Sequence, residues 1–183
     1  MQLKNIQILI MLLVLISIIS CENDIEKVKM VTTKTDTPSE SAKKITIYYS
    51  DSAKVKVKVK AQKMNHFITE EPYLEMPEGI NVEFFDDSMK VISHLTANYA
   101  IKYEKKDIME AKSNVVVVNQ KGEQLNTEHL IWDENKQMIS SPEFVKITTA
   151  DEIIYGNGFE SNQLFTKYKI FDIKGTISLN KNK

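Results

Sequence analysis

The sequence predicts an all-β domain, and three observations carry that prediction. Residues 54–61 read Lys-Val-Lys-Val-Lys-Val-Lys-Ala, a strict alternation of charged and apolar side chains. On a strand this puts every Lys on one face and every Val on the other, whereas a helix would scatter them around its circumference. Apolar or alternating runs then recur about every 8–12 residues between turn-rich clusters, the spacing of a sandwich, roll or barrel. No segment carries a 3.6-residue period.

Taken in order, the chain opens on an export signal. Lys4 is the only charge in the first 20 residues, and an apolar run extends from Ile8 to Ile19, broken only by Ser17. That run is too short to cross a bilayer core, which takes about 20 residues. Ile18-Ile19-Ser20-Cys21 has the form of a lipobox, with residues 1–20 removed and Cys21 carrying the acyl chains. Cys21 is the one cysteine of the chain, so no intramolecular disulfide forms.

Residues 21–44 read as lipid anchor and flexible tether. Thr32 to Ser41 contains six Ser/Thr residues and Pro38, and no apolar period is visible. As a coil the tether spans roughly 25–30 Å, with a limit near 80 Å.

The domain expected over residues 45–183 begins with Ile45-Thr46-Ile47 and the lysine-valine strand. Ile80-Asn81-Val82-Glu83-Phe84, Val115 to Val118, Glu143 to Thr148 and Asp151 to Phe159 follow as strands. Turns are expected at Asp86-Asp87-Ser88, at Asn119-Gln120-Lys121-Gly122, at Asp133-Glu134-Asn135-Lys136, at Asn157-Gly158 and at Lys174-Gly175. Gly122, Gly156 and Gly158 are the structural turn residues, Gly156 and Gly158 permitting a tight bend or close backbone approach. A shift of 30 residues lays Ile101 on Ile131, Ile108 on Met138, Val115 on Val145 and Val117 on Ile147. After one deletion Leu125 and Leu130 fall on Ile154 and Phe159, which suggests stacked hairpins around one interior.

Charge argues against nucleic acid. All 24 basic residues are Lys, and the net charge of −1 becomes −2 once Lys4 is removed with the signal. Catalytic and metal sites find no support, and no cofactor is expected. His66, His94 and His129 are far apart, and no His-x-His, His-Glu-x-x-His or cysteine pair occurs. Glu70-Glu71 and Asp86-Asp87 flank expected turns. Lys54, Lys56, Lys58 and Lys60 read as a solvated outer face that also guards a strand edge.

Several stretches together resemble the LptC family, the periplasmic component of the lipopolysaccharide export ABC transporter. These are Tyr48 to Ser52, Val91 to Tyr99, Glu110 to Asn119, Leu125 to Asp133, Ile147 to Glu152 and Tyr155 to Glu160. The lipobox makes the lipoprotein form of Bacteroidetes-type bacteria the nearest match. The resemblance implies a twisted, partly open β-jellyroll of stacked antiparallel strands, like that of LptA. It implies a non-enzymatic protein that accepts lipopolysaccharide from the transporter and passes it to a periplasmic bridge. It further implies contact of residues 45–50 with the jellyroll domains of LptF and LptG, and of residues 168–179 with an LptA-like bridge. The location implied is the periplasm, anchored to the inner membrane through Cys21.

Each CH₂ of an acyl chain held in water costs about 0.8 kcal/mol, so a lipid carrier needs an apolar trough. By phase, the inward candidates are Val55, Val57, Val59, Ile80, Val82, Phe84, Val115, Val117, Val145 and Ile147, followed by Ile153, Tyr155 and Phe159. The same residues equally describe the dry core of a closed roll, and the chain would then be a periplasmic or surface lipoprotein acting as a structural or binding module.

Overall fold

A computed structural model describes residues 37–179. The export signal, Cys21 and most of the tether lie outside the described residues. Twelve strands and one 3-10 turn over Glu104–Lys106 make up the domain. The strands are β1 (Glu40–Asp51), β2 (Lys54–Phe67), β3 (Tyr73–Met76), β4 (Ile80–Phe85), β5 (Val91–Ala97) and β6 (Tyr99–Tyr103). They continue with β7 (Ile108–Asn119), β8 (Gln124–Asp133), β9 (Met138–Thr148), β10 (Glu152–Asn162), β11 (Tyr168–Ile170) and β12 (Ile173–Ser178).

All pairings are antiparallel and belong to one sheet. From one edge the order is β1, β2, then β4 and β3 side by side on β2, then β5 and β6, then β7, β8, β9 and β10. The other edge is shared by β11 and β12, which pair successive halves of β10. Among the described residues β1 and the β11–β12 pair have no partner on their outer sides, so the sheet does not close into a barrel. This is the all-β, partly open roll that the resemblance implies.

A transverse line of irregularities folds the sheet onto itself. Residues 77–79 separate β3 from β4, Asn98 separates β5 from β6, and residues 171–172 separate β11 from β12. On the continuous strands the register shifts at residues 112–115 of β7, 127–131 of β8 and 157–159 of β10. Gly79, Ser113, Asn114 and Gly158 on this line have positive φ, a geometry that bulges use to bend a strand. Each long strand is thereby divided between two leaves, and the leaves face each other. Phe84 of β4 meets Trp132 of β8 across the gap, with ring centroids 5.8 Å apart.

The core fills the space between the leaves. Val57, Val59, Ile80, Val82, Phe84, Leu95, Val115, Val117, Leu125, Leu130, Val145, Ile147 and Phe159 are all buried there. The 30-residue repeat has a structural counterpart in these bends. Val115 and Val145 are buried at matching points of β7 and β9, and the shifts of β8 and β10 lie in equivalent places.

Several sequence expectations need correction. β1 starts at Glu40, inside the segment read as tether, because its first residues pair with Lys63 to His66 of β2. Asn157-Gly158 is a bulge within β10 and ends no strand. Lys174-Gly175 lies within β12, and the expected turn falls at residues 171–172. The lysines of β2 guard no edge, because β1 covers that strand along its length.

Candidate functional site

Eleven of the thirteen expected trough residues lie on the apolar inner surface or close to it. Val57, Val59, Ile80, Val82, Phe84, Val115, Val117, Val145, Ile147 and Phe159 are buried, and Val55, near the end of β2, is half-buried. Ile153 and Tyr155 are placed otherwise. Their partners on β9 are Thr148 and Lys146, whereas Ile154 and Gly156 oppose the buried Ile147 and Val145. Tyr155 stacks on Phe144, which is 51% exposed, on the outer face. The bulge at Asn157-Gly158 is the reason: one extra residue changes the phase, so the inward positions run 154, 156 and then 159. A strict period of two carried back from Phe159 therefore selects the wrong face of the first half of β10.

The leaves are closed on each other. Between Ile80, Val82, Phe84, Leu95, Met109, Ala111, Leu130 and Trp132 only about 10 Å³ remains open, which barely accommodates a single water. The trough expected to be open is thus packed shut in this conformation. A separate groove of about 860 Å³ lies along the bend, where Lys44, Ile45, Lys60, Gly79, Asn81 and Asn98 meet solvent. Gly79 is required there, since a Cβ would stand 2.8 Å from the Ala97 carbonyl oxygen and φ is +84°.

At the mouth, opposite the bend, side chains tie the leaves together. Tyr49 of β1 stands edge-on to Trp132, with centroids 5.7 Å apart, and the Lys102 ammonium lies 4.5 Å from its ring centre. Burial, followed by the carboxylates of Glu134, Glu104 and Asp107, holds the Tyr49 phenol well above its ordinary pKa. Lys102 is 8% exposed on the same inward phase as Ala100 and pairs with Glu134. On the β10 side the loop at residues 163–167 fills the gap with Phe165, which is fully buried at φ +54°. Asn119 Nδ2 donates to the Phe165 carbonyl at 2.8 Å, and Trp132 Nε1 donates to Gln163 Oε1 at 3.2 Å. Sequence reasoning missed Lys102 and Phe165. Lys102 shares its strand phase with Ala100, a readable signal, whereas Phe165 lies in a loop without periodicity.

The turn glycines play three different roles. Gly122 closes the β7–β8 turn at φ +76°, its N–H donating to the Asn119 carbonyl at 3.0 Å. Gly156 permits close approach, because a Cβ would stand 2.5 Å from Ile170 Cγ2 and 2.7 Å from the Phe171 carbonyl oxygen. Gly158 forms the bulge.

The outer face is polar and largely paired. Lys56 and Lys58 of the lysine ladder bond Asp87 and Glu83 across from β2. The Lys58 bond holds Glu83 below the usual carboxylate range, and Lys56 does the same for Asp87. His66 lies 3.4 Å from Glu40 and 3.3 Å from Glu104, and His129 lies 3.0 Å from Glu110. Among the described residues no three His, Cys, Asp or Glu side chains gather as metal ligands, and no helix is long and apolar enough to cross a membrane.

No curated protein matches the sequence. A family model described as lipopolysaccharide-assembly, LptC-related, matches residues 7–175, nearly the whole chain. The folded sheet with its apolar inner surface and open edges agrees with that match. The chain belongs to the LptC-related family of lipopolysaccharide-assembly proteins, and its role lies in lipopolysaccharide transport.

Proposed function

We propose that this protein is a lipid-anchored periplasmic carrier that receives lipopolysaccharide from an inner-membrane ABC transporter and passes it to a β-jellyroll bridge. The observation that carries this reading is the apolar inner surface shared by two leaves, with both lateral edges of the sheet unpaired among the described residues. Acyl chains enter between the leaves, which part to admit them, and the inner side chains of Val59, Val82, Val117 and Val145 remove the chains from water. Burying a chain of about a dozen carbons gains on the order of 0.8 kcal/mol per CH₂, which offsets the lost leaf-to-leaf contacts.

In this reading β1 meets the jellyroll domains of LptF and LptG, and β11 with β12 meets an LptA-like bridge. Strand addition at each edge continues the backbone ladder and the apolar surface together. The acylated Cys21 holds the domain at the inner membrane on its tether. No step of this transfer calls on an enzymatic activity of the chain itself.

The test is a photoreactive amino acid at Val117 in membranes reconstituted with the transporter. Lipopolysaccharide adducts that depend on ATP are expected. Their absence at Val59, Val117 and Val145 alike would overturn the reading. The closed packing around Trp132 favours the second reading in that event, a structural or binding lipoprotein with a solid core.

A further inference from the structure

We propose that four lysines at the bend beside the edge strand, Lys43, Lys44, Lys60 and Lys63, form a docking surface for the anionic phospholipid headgroups of the membrane. The inference rests on the lipid-anchored placement in the proposed function and adds to it how the domain lies at that membrane. In the register of β1 with β2, Lys43 stands directly opposite Lys63, and Thr46 opposite Lys60. Lys60 lies between the buried Val59 and Ala61, so it points outward together with Thr46. Lys44 has φ +52° at the bend, and past it the phase reverses. Met64 packs against the core there, which turns Lys63 and its partner Lys43 to the outer face. Lys43, Lys44 and Lys60 are exposed and Lys63 is half-buried. Lys44 and Lys60 line the groove of about 860 Å³ along the bend.

Like charges directly opposite on neighbouring strands destabilise a sheet, so the Lys43–Lys63 pair costs the fold something. The neighbouring lysines of β2 are neutralised, Lys56 by Asp87 and Lys58 by Glu83. None of the four has a carboxylate partner among the described residues. Of the acids that line the groove, Glu83 is taken by Lys58, which leaves Glu78. The patch therefore keeps an excess of positive charge, spread along an open rim, which suits a surface of many anions better than one small ligand. Tyr48 stands on the same outer face opposite Lys58 and is 59% exposed; a ring with a polar tip suits the headgroup layer. The position of the patch in the chain selects the membrane as the source of the anions. β1 begins at Glu40, so Lys43 and Lys44 are the first lysines among the described residues after the anchor. They lie within the reach of the tether, roughly 25–30 Å, and lysine clusters beside a membrane anchor bind anionic lipid. With the bend set on the bilayer, the mouth at the opposite end of the leaves stays clear of it.

The experiment places the acylated protein on phosphatidylcholine vesicles with and without phosphatidylglycerol, an environment-sensitive fluorophore being attached at Thr46→Cys. A blue shift is expected on the anionic vesicles and not on the neutral ones, and high salt is expected to reverse it. Lys43→Gln, Lys44→Gln, Lys60→Gln and Lys63→Gln together lower the docked-to-free ratio, about fivefold for each lysine removed. Lys121→Gln, Lys146→Gln, Lys167→Gln and Lys169→Gln together leave the shift in place. Lys43→Gln with Lys63→Gln removes only the opposed pair; it is expected to melt no lower than wild type and still to weaken docking. Salt-resistant retention on the neutral vesicles reports the acyl anchor separately. Retention there without a shift on the anionic vesicles overturns the docking surface and leaves the anchored carrier standing. Release from the neutral vesicles overturns the anchored placement and the docking argument with it. An equal loss in both lysine sets assigns the effect to overall charge and overturns the surface. Reversal by millimolar inorganic phosphate, beyond that by chloride of equal ionic strength, would mean a discrete anion pocket and overturns it as well.

Discussion

Trp132 stands edge-on to Phe84, ring planes at 83° and centroids 5.8 Å apart, which joins β8 of one leaf to β4 of the other. The same indole meets Tyr49 of the edge strand at 83° and bonds Gln163 of the β10–β11 loop. One side chain therefore touches both sides of the mouth. Trp132→Ala is expected to destabilise the domain by about 3–5 kcal/mol, as for other large buried aromatics. A urea titration followed by circular dichroism measures this, and a loss under about 1 kcal/mol would mean the leaves are held elsewhere.

The bulge in β10 makes a prediction about adjacent residues. Ile154 faces the interior and Ile153 the outer surface. A photoreactive amino acid at position 154 is expected to capture lipopolysaccharide, and one at 153 is not. The reverse pattern would restore an unbroken period of two and contradict the register with β9.

The glycines separate by cause. Gly156→Ala forces a methyl against Ile170 and the Phe171 carbonyl, at a cost of about 1–3 kcal/mol. Gly122→Ala has open space but keeps a positive φ, costing about 1–2 kcal/mol. Gly175→Ala meets neither obstacle and is expected to stay within about 0.5 kcal/mol of wild type. Thermal melts of the three variants check the order.

Asn119 links the leaves at the β10 side of the mouth through its bond to the Phe165 carbonyl, while its Oδ1 accepts from the Lys121 and Glu123 amides. Asn119→Ala is expected to cost about 1–3 kcal/mol and to speed amide exchange in residues 163–167. Unchanged exchange there would show that Phe165 packing alone closes the loop.

Acid stability follows from Glu83. Its bond from Lys58 lowers its pKa in the folded protein, so the contribution is present above the unfolded carboxylate range and is lost as pH falls through the lowered folded value. Glu83→Gln is expected to lose stability less steeply than wild type below about pH 5. Parallel profiles in a pH series of urea titrations would show that the bond adds nothing, as for many exposed ion pairs.

Local side-chain patterning is enough to specify a sheet and, for several strands, which face is apolar. Residues 54–61 admit only one sorting of Lys and Val between two faces, and Val145 and Ile147 flank Lys146 by the same rule, whereas the run Val115 to Val118 leaves its two faces alike. The family could be read as well, from short stretches whose order extends over most of the chain. The bends are set by contacts between strands distant in the chain. Ser113, Asn114 and Asn157-Gly158 announce irregular backbone, but whether such residues end a strand or bulge it depends on the neighbouring strand's register, which is set by distant residues. A strict period of two assigns Ile153 and Tyr155 to the wrong face for that reason. Lys102 and Phe165 depend on it further, because the space they occupy exists only once two halves of the same sheet have been folded face to face.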